Sequence, residues 1–189
     1  MANLDAPFGL RPVRHYGGGL VRANEYQIAS GYASNIFSGS PVKSVGTNKR
    51  IQLGTAGDTL VGVFGGVQMV DATGDIKYLQ HWPANQTLKA GSIAKALVYD
   101  DPLILFEIQA SGAFAAADIG QMANLTAESG DVTTGRSTVE IDSATIAQAN
   151  DIQVKIIELA PKDDNNFGAN AIAHVLINEH EMRAAMTAV

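Results

Sequence analysis

From Glu25 to Gln109 the chain alternates short apolar runs with clusters of Gly, Ser, Asn and Asp. Runs this short, rich in β-branched and aromatic residues, predict strands. The expected strands cover 25–29, 36–45, 50–53, 60–70, 76–82, 92–99 and 103–109. Leu60–Val70 reads LVGVFGGVQMV and runs into Asp71-Ala72-Thr73-Gly74-Asp75, then into the aromatic-bearing Ile76–Trp82. A glycine-bearing turn between two such runs predicts a β-hairpin. Gly65-Gly66 inside its first strand predicts a bulge or a close backbone approach. Further strands are expected at 137–141, 152–159 and 171–177, separated by polar loops at 128–136 and 162–170.

Phe114–Asn124, FAAADIGQMAN, is the one short helix the pattern predicts, because Ala is the best helix former. Gly120 weakens it. The sum is a mainly β chain of roughly nine or ten strands, an antiparallel β-sandwich or barrel with one short helix. No internal repeat of fixed period interrupts this reading.

The ends differ from the middle. Residues 1–23 read as an extended N-terminal arm, 24–177 as a β-rich core domain and 178–189 as a C-terminal tail. Pro7 and Pro12 favour extended backbone, and Gly17-Gly18-Gly19 adds flexibility. Phe8, Leu10, Arg11, Val13 and Tyr16 are the arm's candidate contacts with a partner. Two readings stay open for them: an arm docked on a neighbouring subunit, or a first edge strand packed on its own domain. Met182 and Met186 are the tail's candidate contacts, on a short helix that needs a partner to order it.

Composition narrows the function classes. The chain has 189 residues, of which 46% are apolar and 17% charged. The usual charged share is about 25%. An obligate assembly accounts for that low share, as does a monomer rich in Ser, Thr, Asn and Gln. Net charge is −6, and the 13 basic residues are scattered, with Lys49-Arg50 the densest pair. Neutralising phosphates needs clustered cations, so no nucleic-acid partner is expected. The start lacks a signal-peptide pattern, and no apolar run approaches the roughly 20 residues of a membrane-spanning helix. No membrane partner is expected, and synthesis in a cytosol follows.

Each class of catalytic or metal motif fails for a stated reason. There is no cysteine. His15, His81, His174 and His180 stand at no metal-ligand spacing. No nucleophile elbow or phosphate-binding loop is complete. Asp100-Asp101 and Asp163-Asp164 fall in turns where adjacent carboxylates face water. The expectation is a non-enzymatic protein with no catalytic residues, no cofactor and no metal.

Several stretches resemble the small capsid decoration, or cement, proteins of tailed bacteriophages, particularly a type common in marine phages. They are Ala6–Val13 (APFGLRPV), Leu60–Val67 with the strand ending at His81-Trp82, Asp101–Ala110 (DPLILFEIQA), Asn165–Gly168 and Val175–His180. The resemblance implies a homotrimer on the capsid exterior that bridges capsomers and stabilises the shell. Its partners would be the major capsid protein and further copies of itself, after synthesis in the bacterial host cytoplasm. Another virion component, a tail or head–tail connector protein, and a carbohydrate-binding β-sandwich module are the alternatives.

Overall fold

The computed structural model describes residues 3–147 and 152–183. The fold is mainly β and sandwich-like, built from antiparallel sheets. The strands are β1 (Arg11–His15), β2 (Asn24–Ile28), β3 (Ile36–Phe37), β4 (Pro41–Ser44), β5 (Ile51–Leu53), β6 (Gly62–Val70), β7 (Ile76–Leu79), β8 (His81–Trp82), β9 (Ala94–Tyr99) and β10 (Ile104–Gln109). They continue with β11 (Met122–Ala123), β12 (Gly130–Asp131), β13 (Arg136–Ser137), β14 (Val154–Leu159) and β15 (Ile172–Ile177).

Two sheets carry the architecture. One has the order β1-β10-β15-β14-β11. The other has the order β2-β9-β6-β4-β5, with β7 also on β6. Gln27 of β2 meets Arg50 beside β5 in a parallel bridge, and its N–H donates to the Lys49 carbonyl at 2.9 Å. This joins the two ends of the second sheet into a ring. Alternation does the sorting along β9, where Ala94, Ala96 and Val98 point inward and Lys95 and Leu97 outward.

Each sheet has its own core. The ring encloses Tyr26, Ile28, Phe64, Val67, Met69, Trp82 and Val98, among others. The other core packs Ile104, Phe106 and Ile108 of β10 with Val154, Ile156, Val175 and Ile177, beneath Phe114, Leu125, Val139 and Ile141. β6 serves both. Leu60 and Val63 belong to the second core, whereas Phe64, Val67 and Met69 belong to the ring. In an unbroken strand Phe64 shares a face with Gly66 and Gln68, not with Val67 and Met69. The register against β9 shifts between Phe64 and Gly66. That bulge changes the parity of the strand, as the Gly65-Gly66 pair predicts.

The expected helix at 114–124 is absent. Ala116–Asp118 forms one 3-10 turn, fixed by the Asp118 carboxylate accepting the Ala115 N–H at 2.7 Å. Gly120 then takes φ +87°, and Met122-Ala123 pairs with β14. Burying Met122 and Ala123 at the sheet edge outweighs the alanine propensity. The expected 36–45 strand is split at Gly39 (φ +94°), and the returning hairpin strand is split at Gln80.

Residues 8–15, expected in an arm, lie on their own domain. β1 pairs with β10 from Arg11↔Glu107 to His15↔Ile104. Leu10 is a core residue, 1% exposed, with its N–H on the Gly39 carbonyl. It is not available to a partner, and the edge-strand reading is the one the structure adopts. The chain after β15 is likewise fastened as far as it is described. Asn178 and His180 are buried, and Leu60 exchanges backbone bonds with Glu179 and Glu181. Residues 178–183 form no helix.

Gly62 and Gly65 both lie against β9, with different tolerances. A Cβ on Gly62 falls on the Tyr99 backbone carbonyl, whereas one on Gly65 meets the outer edge of the Tyr99 ring at 2.8 Å. A ring can swing aside and a paired backbone cannot. Gly62→Ala is expected to cost about 2–3 kcal/mol of stability and Gly65→Ala about 1 kcal/mol or less. Urea denaturation of both variants checks this, and equal costs overturn it.

Candidate interaction surface

β1 forms one outer edge of its sheet and pairs only with β10 among the described residues. Its free edge is the kind of backbone row that a partner strand can extend. Pro12 lacks a donor, and the register shifts between Pro12 and Arg14, so the edge is selective rather than an open ladder. Val13 stands exposed on it at 44%, and Tyr16, in the turn just past its end, at 52%. Leu4 and Leu20, on the flanking chain, are also exposed.

The strand is held to the sheet by charge. Arg11 and Lys162 both pair with Glu107, whose side chain is only 5% exposed. Phe8 lies under both cations, 4.8 Å from the Arg11 guanidinium and 5.9 Å from the Lys162 ammonium. Burial alone pushes the Glu107 carboxyl up, but the bonds from Lys162 and Arg11 outweigh it and hold the pKa below its ordinary value. Along the same face His174 Nδ1 lies 2.9 Å from Glu158, which also faces Arg14 at 3.4 Å. The glycine triplet is folded onto His15, whose Nδ1 accepts the N–H groups of Gly17 and Gly19 at 3.1 and 3.0 Å.

Thus Phe8 and Arg11 act first as the fastening of β1, and Val13 and Tyr16 are the residues left facing outward. Met182 is exposed beside the buried His180, whose Nδ1 accepts the Met182 N–H at 3.1 Å. Met186 lies outside the described residues. No group of three or more His, Cys, Asp or Glu is placed to hold a metal among the described residues.

Several buried or half-buried ionisable groups escape the sequence reading. Asp100, expected to face water in its turn, is instead buried and accepts from Asn24 Nδ2 at 2.7 Å and the Tyr26 hydroxyl at 2.8 Å, because the turn folds back against β2. Glu107 sits between Phe106 and Ile108 in LILFEIQ, and a carboxylate inside an apolar strand is the available signal for a paired buried charge. Glu128 gives no such signal, since it lies in a polar loop. Its carboxylate accepts from Ser137 Oγ at 3.0 Å, and Ser40 also bonds it. Burial raises its pKa from 4.5 to about 7, with the two serines opposing. His180 shifts the other way, its pKa lowered by burial and by Arg183.

Removing the Arg11 clamp leaves Glu107 buried with one cation. Arg11→Ala is expected to destabilise the fold by about 1–3 kcal/mol and to speed proteolysis ahead of β1. Thermal melts and limited proteolysis read both, and an unchanged cleavage pattern contradicts the fastening. Glu128 gives a pH signature. The folded state keeps a proton that the unfolded state loses as pH rises from 4.5 to about 7. Its contribution to stability is therefore full at low pH and falls by on the order of 2–3 kcal/mol across that window. His180 contributes the opposite slope near its ordinary range, so the comparison with Glu128→Gln isolates the carboxyl. The variant is expected to match the parent near pH 4.5 and to exceed it above pH 7 in denaturant melts. A pH-independent difference contradicts the assignment.

Comparison with known proteins finds no match among family models, curated proteins or solved structures.

Proposed function

We propose that the protein is a non-enzymatic structural component of a virion, a decoration protein that binds the outer surface of a phage capsid as a homotrimer and bridges capsomers. The observation that carries the reading is the β1 edge: a free strand edge, fastened from behind by Arg11–Glu107–Lys162, with Val13 and Tyr16 turned outward. A free strand edge supplies main-chain pairing, and the exposed Val13 and neighbouring Tyr16 add apolar contact area, which a protein bridging capsomers requires. Three-fold repetition multiplies a weak contact into strong attachment. The net charge of −6 suits an outer surface remote from packaged DNA. The stretches resembling cement proteins coincide with elements that build this frame: Ala6–Val13 leads into and forms β1, and Asp101–Ala110 contains β10.

The test is to count and locate the chain in purified particles by electron microscopy. Many copies over the outer lattice are expected, and a few copies at one vertex sink the reading. Val13→Glu with Tyr16→Glu is expected to abolish shell binding while the melting temperature stays within a few degrees of the parent, since both side chains are exposed. Normal shell binding by a folded double variant removes β1 from the interface.

A further inference from the structure

The outward face of the ring carries a long groove that crosses β6 at the bulge. It has two lobes sharing Gly65 and Gln80. One lobe, of about 280 Å³, is walled by the outward-facing Tyr78, Gln68 and Leu97 over the backbone of Gly65, Gly66 and Val67. The other, of about 330 Å³, is flanked by Arg11, Arg136, Ser38, Phe8 and Tyr99. Tyr78 is 74% exposed, and its hydroxyl accepts from Gln68 Nε2 at 3.0 Å, which fixes the ring as a wall. Lys95 and Glu25 pair at 3.2 Å on the rim of the apolar lobe and so neutralise each other there. Arg136 makes no ion pair among the described residues, in a protein that is acidic overall.

We infer that this groove binds an extended acidic peptide segment of a partner protein, with an aliphatic side chain in the Tyr78–Leu97 lobe and a carboxylate at Arg136. Charge complementarity sets the second half. Arg11 is committed to Glu107, so Arg136 is the guanidinium in this lobe without an ion pair among the described residues, a site for a carboxylate gripped through parallel N–H donors. The side chains set the first half. The Tyr78 ring and Leu97, both exposed, offer the apolar surface here, which suits an aliphatic side chain better than a hydroxyl-covered sugar ring. The Tyr99 ring occupies the side-chain space at Gly65, so the passage between the lobes is floored by that ring and the Gly65 backbone. The inference stands on the groove alone and holds whichever assembly the protein joins.

The experiment titrates the intact, isotope-labelled protein with short capped peptides. Each carries one glutamate and one leucine, at varied separations, in a serine–glycine background. Amide shifts at Gly65, Gly66, Gln80 and Leu97 that saturate for at least one separation are expected. Replacing that glutamate with glutamine, or the protein's Arg136 with Gln, is expected to weaken binding about tenfold, the scale of one charge-assisted pair. Replacing the leucine with serine, or Tyr78 with Ser, is expected to weaken it comparably. Arg136 and Tyr78 are both exposed, so these variants keep the fold. No saturable shift in the groove for any separation overturns the inference, as does equal binding of the glutamine peptide. Saturable binding of a uronic-acid disaccharide in place of the peptides also overturns it, and makes the groove a sugar site.

Discussion

The architecture turns on a change of parity in one strand. β6 is nine residues long and supplies large side chains to both cores, Val63 to one and Phe64, Val67 and Met69 to the ring. A regular strand presents one set of residues to each face along its whole length. Here the face given to the ring switches from even to odd numbers at Gly65. Without that extra residue, Val67 and Met69 would leave the ring interior, or Phe64 would. The ring and the open sheet could then not share a strand. The bulge therefore links the two cores mechanically, and Gly62 and Gly65 are small because β9 lies directly against them.

The sheet of β1, β10, β15, β14 and β11 solves a different problem. β10 is buried along its whole length, yet it carries Glu107 and Gln109. Buried polar side chains hold only where their bonds are satisfied. Glu107 has Arg11 and Lys162, and Gln109 donates to the carbonyls of Leu4 and Asn170 while accepting the Ala6 N–H. Each of these partners lies either in the N-terminal chain or in the loop joining β14 to β15. The polar groups of one strand thereby decide where an otherwise irregular N-terminal segment goes.

This explains what was legible in the sequence and what was not. The hairpin at β6–β7 and the bulge were visible because each depends on neighbours in the chain: a Gly-bearing turn and a Gly-Gly pair. The turn itself is closed locally, with Asp71 accepting from Thr73, Gly74 and Asp75. The helix forecast at 114–124 failed because the deciding contact, Met122-Ala123 on β14, is far along the chain and leaves the exposed Ala115, Ala116 and Ala117 in a single turn. The fate of Phe8–His15 was undecidable for the same reason, since Glu107 and Lys162 are remote in sequence. Glu128 was illegible altogether, because Ser40 and Ser137 meet it only through the fold.

The groove follows from the same parity change. A bulge that omits side chains leaves a depression on the outer face wherever neighbouring strands keep theirs. Tyr78 and Leu97 stand on either side of Gly65-Gly66, and Gln80, at the break between β7 and β8, opens the path toward Arg136. The groove is thus built over backbone that β9 holds by pairing. Its floor is tied by the β6–β9 ladder, with the Tyr99 ring packed over Gly65. A concavity fixed in this way keeps its shape without an occupant, and a partner segment that fits it need not supply the energy of forming it.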